Sequence, residues 1–365
     1  MKTSDMHYLK KAGFGFSACA AILLSSCETP FYIHTQVNPD LSVRRTCYSD
    51  SSLIPEQTPP RLRMDFSQPN PVHVKHLETD SLIGFYGESI PVNMKINTDY
   101  ARIEDAKPFF RSVPPDGNPM FEPKEQLGKR FKWFYTYYTY HGTIRQIEGL
   151  PVPLSDFLSA EEQSVFFGNA PLPQGWIGVE SYEYLDELNT KFVQWYNKSL
   201  FETNFAILYS LADTSLRKRM LADKDIIYNQ LKSNEIGNND ELADFCREWD
   251  ARWKKDETTS LYRTREAEAD SLYQEKTKII RYFSYVFVYR MDLPGKIVES
   301  NALRFEEGHP VWKVDGYRLL ISNLQMQATS RKANIWAFIA SFILLIGIPI
   351  LCLKRKKRKA RPTAL

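Results

Sequence analysis

The chain reads as an α+β protein. An antiparallel β-sheet is built from the N- and C-terminal parts of an ectodomain, with a large helical middle and one C-terminal transmembrane helix. Three observations predict this. Apolar and polar residues alternate near both ends of the ectodomain. A three-to-four-residue rhythm runs between about 155 and 290. A charge-free stretch from Ile335 to Leu353 abuts a basic tail. The 365 residues can bury a substantial core, and 43% apolar with 25% charged content excludes wholesale disorder or a fibrous repeat.

The N-terminus reads as a secretion signal. Lys10 and Lys11 precede an apolar segment, Ala12 to Leu24, that is shorter than the ~20 residues a membrane span requires. It ends in Leu24-Ser25-Ser26-Cys27, which resembles the lipobox of bacterial lipoprotein signal peptides. The resemblance implies cleavage after Ser26 and acylation of Cys27, whose chains would partition into the membrane. An ordinary signal peptide with an incidental cysteine is the alternative.

The other end predicts a second anchor. Ile335 to Leu353 has 19 residues and no charge, roughly 28 Å of helix at ~1.5 Å per residue. Trp336 stands at its entry, and Pro349 near its exit is tolerable in a membrane helix. Seven cations between Lys354 and Arg361 supply a positive-inside signal. A buried core helix is the alternative. Together the ends predict a bacterial inner-membrane protein with a periplasmic ectodomain and a cytoplasmic C-terminus. Expected segments are a signal peptide (1–26), a β-rich part (27–150), a helical region (151–284), a second β-rich part (285–332), the span (333–353) and a basic tail (354–365). Outside the two ends acidic residues outnumber basic ones, which argues against nucleic acid as a ligand.

Of five cysteines, the lipobox resemblance implies that Cys19 leaves with the signal and that Cys27 carries lipid, and Cys352 lies in the expected span. Cys47 and Cys246 remain. An extracytoplasmic location permits a disulfide between them, and two separate buried thiols are the alternative.

Phe31 to Tyr48 reads as a hairpin, with Asn38-Pro39-Asp40 supplying the turn. Residues 55–71 and 108–123 are proline-rich and read as irregular connections. The aromatic run Phe131 to Tyr140 is bulky on both faces at period 2 and predicts an inner strand covered on both sides. Core packing is its ordinary role, and a glycan or lipid platform its functional one.

Ser159 and Glu162 have capping-box spacing at a helix start. Leu185, Leu188, Phe192, Trp195, Tyr196 and Ser199, continued by Leu200, Phe205 and Leu208, predict one long amphipathic helix. Asn238-Asn239-Asp240 reads as a turn before a helix over 241–255, and 260–283 as a further helix with a solvated, mixed-charge face. Strands follow at Tyr285 to Tyr289, after the Pro294-Gly295 turn, and at Val311 to Val314. Asp315-Gly316 reads as a hairpin turn before a last strand, Tyr317 to Thr329.

Val37-Asn38-Pro39-Asp40, Pro294-Gly295-Lys296-Ile297-Val298-Glu299-Ser300-Asn301, Trp312-Lys313-Val314 and Ala328-Thr329-Ser330 resemble the LppM-type family of bacterial lipoproteins. The resemblance implies an α+β fold in which an early hairpin joins late strands around helices. It implies a membrane-associated envelope protein without an established reaction. The chain departs from that pattern in its larger helical middle, and in Leu41 where a turn glycine is commoner.

Catalytic signatures are sparse. No nucleophile elbow, Gly-rich phosphate loop or H-E-x-x-H occurs. The histidines are 7, 34, 73, 76, 141 and 309. His73 and His76 would share a helix face, but their surroundings suggest strand or loop, so no metal site is expected. Glu161-Glu162 and Glu306-Glu307 are neighbours in sequence, which says nothing about convergence in space. No cofactor is expected. The leading expectation is a non-enzymatic envelope lipoprotein that contacts membrane lipids through Cys27 and the C-terminal helix and engages an envelope protein partner. A membrane-bound hydrolase of lipid, glycan or peptide and a lipid-binding module are the alternatives.

Overall fold

The computed structural model describes residues 29–49, 61–64, 73–83, 89–113, 117–147, 149–167, 178–233, 242–283 and 285–359. The signal segment, Cys27 and the 238–240 turn lie outside these residues.

Two sheets face each other. The first has seven strands in the order β11-β12-β9-β1-β2-β5-β4, and the second four in the order β10-β13-β8-β7. In the first sheet, β1 (Thr29–Val37) and β2 (Val43–Ser49) form the expected hairpin, followed by β4 (His73–Ile83) and β5 (Ser89–Tyr100). The late strands β9 (Tyr285–Asp292), β11 (Arg304–Glu306) and β12 (His309–Asp315) complete it. The expected joining of early and late segments occurs between β1 and β9, but they run parallel, so this sheet is mixed. Leu41 closes the β1–β2 turn with φ 75°, a backbone conformation in which glycine is cheaper.

The second sheet holds β7 (Lys124–Lys132), β8 (Tyr135–Ile144), β10 (Lys296–Ser300) and β13 (Leu324–Ala333). The aromatic run is therefore a hairpin rather than one strand. Trp133 and Phe134 form its turn, β8 alternates between buried positions and half-buried or, at His141, exposed ones, and Phe131, Trp133 and Phe134 are exposed. The proline-rich segments also hold more order than expected, since β3 (Arg61–Met64) pairs with β6 (Phe110–Val113).

Phe31, Ile33, Val37, Cys47, Met94, Ile96 and Phe287 from the first sheet meet Tyr140, Ile144, Met326 and Ala328 from the second in one core. The Ser159–Glu162 capping box closes in both directions at the start of α1 (Ala160–Phe166). The long helix α2 (Val179–Leu211) belongs to two cores. Leu188, Phe192 and Trp195 pack on the sheets, whereas Phe201, Phe205, Leu208 and Leu211 join a helical core. That second core includes α3 (Thr214–Ser233) and α4 (Leu242–Trp253), with α5 (Thr258–Thr264) and α6 (Glu266–Lys276). The single helix expected over 260–283 is broken at Arg265 and again at Thr277, whose hydroxyl donates to Tyr273 O (2.6 Å) before α7 (Lys278–Tyr282).

Asp315-Gly316 is not a hairpin turn. The Asp315 carboxylate caps α8 (Gly316–Ile321), accepting from Arg318 N at 2.8 Å, and the last strand begins only at Leu324. Glycine is required at 316 by close packing, because a Cβ there would lie 2.8 Å from Tyr282 O.

The expected transmembrane helix is corrected. The charge-free run does form α9 (Ile335–Lys359), but among the described residues no helix is long and apolar enough to cross a membrane. The first two turns of α9 are engaged by the β7–β8 hairpin. Trp336 stacks on Phe131 and meets Trp133 edge-on, Phe338 contacts Phe134 and Tyr135, and Trp133 Nε1 donates to Ser341 Oγ at 2.8 Å. Asn334 fixes the junction, its amide donating to Lys132 O and Trp133 O. The last six residues, Lys354 to Lys359, are all cationic. The inner-membrane topology that relied on this span loses that support.

A candidate binding cleft on the outer face of the seven-stranded sheet

Strand alternation places the outward positions of five strands around one cleft. Tyr32 and His34 lie on β1, with Tyr48 beside Tyr32 on β2. Val288, Arg290 and Asp292 are the outward residues of β9, pairing in register with Tyr32, His34 and Gln36. Arg304 and Glu306 lie on the edge strand β11, and Ser81 and Leu82 on β4 close the far side. The cavity is about 520 Å³, within the ~300–1,000 Å³ of small-ligand sites. Tyr32 and Val288 belong to an apolar patch with Val286 and Val311, against which Tyr48, Leu82 and Ile90 pack.

One end of this floor is a chain of ion pairs. Asp292 Oδ2 receives His34 Nε2 at 2.7 Å, and Oδ1 receives Arg290 Nε at 3.0 Å, with His309 Nδ1 at 3.3 Å. Arg290 reaches outward to Glu307 Oε2 at 2.9 Å and lies 3.7 Å from Glu306, which also holds Arg304 at 3.0 Å. Burial alone would raise the Asp292 pKa. The hydrogen bonds from His34 and Arg290 outweigh it and hold the carboxyl below its ordinary range.

Glu307 is the unusual member of the cluster. It occupies the β11–β12 hairpin turn at φ 51°, followed by Gly308 at φ 84°. Consecutive positive φ angles favour Asn-Gly there, so a glutamate is a costly choice. The conformation carries its carboxylate to Arg290 and to the lip of the cleft, although its side chain is 81% exposed. Strain of this kind concentrates at functional sites.

The structure brings together residues that are far apart in sequence. His34 and His309 converge on Asp292, and Glu306 and Glu307 join them through Arg290. Alternation makes His34 and Arg290 outward residues of their strands, and the parallel pairing of β1 with β9 then sets them side by side. His73 and His76 lie on a strand, without the i, i+3 geometry of a helix, and among the described residues no group of three or more His, Cys, Asp or Glu could hold a metal ion. The permitted disulfide does not form. Cys47 is buried between the sheets and Cys246 in the helical core, and both are free. Burial pushes both thiols up, Cys246 to about 12.

No known protein family matches this chain, and no curated protein matches it in sequence. Among solved structures it is similar to the NMR structure of the folded domain of LppM from Mycobacterium tuberculosis, at 9% identity over 84% of this chain and 91% of that one. The TM-score is 0.26, too low to carry an argument about fold or activity.

Proposed function

We propose that this chain is an envelope lipoprotein, tethered through acylated Cys27, whose ectodomain binds a partner or small ligand rather than transforming it. The cleft carries the reading. Its floor is apolar, and its arginines and carboxylates are committed to one another, which fixes the rim's shape. The exposed apolar side chains of α9, among them Ile339, Phe342 and Leu345, supply a second surface suited to an envelope protein partner.

Two measurements test the proposal. In cells fed an alkyne fatty acid, the wild-type chain should be labelled and Cys27→Ser should not. Equal labelling of both, or of neither, removes the tether. A photo-crosslinker placed at Tyr48 should trap a ligand or partner in the full chain, and a clean blank at that position removes the binding role.

A hydrolase remains the second reading because of one observation. Asp292 orients His34 through Nε2 at 2.7 Å in an open cleft, the arrangement of a general base and its orienting carboxylate. Turnover of chromogenic esters that disappears in folded His34→Ala would favour it over simple binding.

A further inference from the structure

We infer that the cleft takes a neutral, hydroxyl-rich saccharide. This inference rests on the cleft being a binding site, and it names the chemistry bound.

The rim decides the class. Arg290 and Arg304 can only donate hydrogen bonds, while Glu306, Glu307 and ionised Asp292 only accept them. They alternate along one continuous chain, with contacts of 2.9 to 3.7 Å. An anionic ligand seeking the guanidinium groups must compete with Glu306 and Glu307. A cationic ligand seeking the carboxylates must compete with Arg290 and Arg304. A hydroxyl both donates and accepts, so a polyol satisfies the rim without breaking any of these pairs. Charge-assisted bonds to such a rim are stronger than neutral ones and directionally exacting, the more so at planar arginines.

The floor fits the same ligand. Tyr32 and Tyr48 are direct cross-strand partners; Tyr32 is buried in the floor, and Tyr48 is half-buried beside it next to the charged rim. Lys95 Nζ lies over the Tyr48 ring, 5.3 Å from its centroid, so the ammonium occupies part of one ring face. A pyranose has an apolar C–H face and an equatorial belt of hydroxyls. It can set the first against Tyr48 and the second toward Arg304, Glu306 and Glu307. About 520 Å³ gives room for a disaccharide-sized segment rather than a single small ion. The strained Glu307 turn then has a reason, because it holds an acceptor at the mouth of the cleft.

The test is calorimetric titration of the full chain in a sugar-free detergent. The probes are N,N′-diacetylchitobiose and cellobiose (neutral), digalacturonate (anionic), the glucosamine disaccharide (cationic) and decanoate (an amphiphile). At least one neutral disaccharide should bind, with little change in affinity between low and high salt because no net charge is neutralised. Tyr48→Ala should weaken it about tenfold, and Glu307→Gln, on an exposed turn where folding is not at stake, about threefold. Failure of both neutral sugars to bind, or binding unaffected by either substitution, overturns the inference. If a charged probe or decanoate binds in a Tyr48-dependent way while the neutral sugars do not, the cleft remains a binding site and the saccharide assignment falls. If no probe binds in a Tyr48-dependent way, both fall.

Discussion

Arg44 and Arg45 are neighbours in the chain, and each holds a carboxylate, yet they do opposite work. Strand alternation sends them to opposite faces of the seven-stranded sheet. Arg44 points outward to Asp99, with side chains 57% and 64% exposed. Arg45 points inward to Glu125 on the facing sheet, with side chains 4% and 2% exposed. The inner pair is fully furnished: Arg45 Nη2 donates to both Glu125 oxygens at 2.8 Å, Arg45 Nε donates to Thr35, and Tyr140 donates to Glu125. The Arg290–Asp292 pair, 22% and 18% exposed, falls between these extremes, and its arginine lines the cleft. The same two chemical groups are a fastener, a binding surface or an ornament, depending on how much water reaches them.

The largest expected effect is at the inner pair. Glu125→Gln leaves a guanidinium buried between the sheets without its counter-charge, and should cost about 3–5 kcal/mol in urea unfolding. In the wild type Glu125 outweighs the burial that would lower the Arg45 pKa, and in the variant the guanidinium's intrinsic basicity still keeps it from simply shedding its proton. The double change Arg45→Met with Glu125→Leu should recover most of that loss, because two apolar side chains of similar size need no partner. A single-variant loss below about 1 kcal/mol would show that this pair does not fasten the sheets. Cys47 gives a second readout. Its thiol lies close to Arg45 and is pushed up by burial, so the native chain should resist iodoacetamide at neutral pH. Glu125→Gln should quicken alkylation of Cys47 but not of Cys246, which lies in the other core.

The intermediate effect belongs to Asp292. Its folded pKa is depressed, so it contributes stability above the unfolded carboxyl value of about 3.9, and that contribution drains away as pH falls below it. Asp292→Asn should lower stability by about 1–2 kcal/mol at pH 7 and flatten the acid limb of the stability profile. Thermal melts from pH 7 to pH 3 check this. A wild-type acid limb as steep in the variant as in the parent would mean that other carboxylates carry the acid sensitivity.

These gradations of burial explain what the sequence could and could not disclose. The β1–β2 hairpin, the capping box at Ser159 and the long helix through Trp195 were legible because local pattern determines them. Val92, Met94 and Ile96 make β5 equally legible by alternation. The aromatic run misled because both of its faces are bulky, which conceals a turn at Trp133-Phe134. The inward reach of Arg45 to Glu125 spans 80 residues, and no local pattern encodes it. The cleft was hidden for the same reason. Its charged groups come from strands far apart in sequence, and only the parallel pairing of β1 with β9 sets His34 beside Arg290 and Asp292. The length of the apolar run at the C-terminus and its flanking cations are local features, and they cannot show that the hairpin docks on its first turns.

The smallest expected effect is at the outer pair, and it is the sharpest control. Arg44 Nε and Nη2 reach the two Asp99 oxygens at 2.7 and 3.2 Å, a bidentate geometry as good on paper as the inner one. Their hydrogen bonds raise the pKa of Arg44 and lower that of Asp99, so the attraction is real. Water and salt can replace either partner at no cost in burial. Asp99→Asn should therefore leave the melting temperature indistinguishable from wild type in moderate salt, and any shift at low salt should vanish as salt is added. A salt-independent loss approaching that of Glu125→Gln would mean that something covers this face of the sheet, and the division between inner and outer arginines would have to be redrawn.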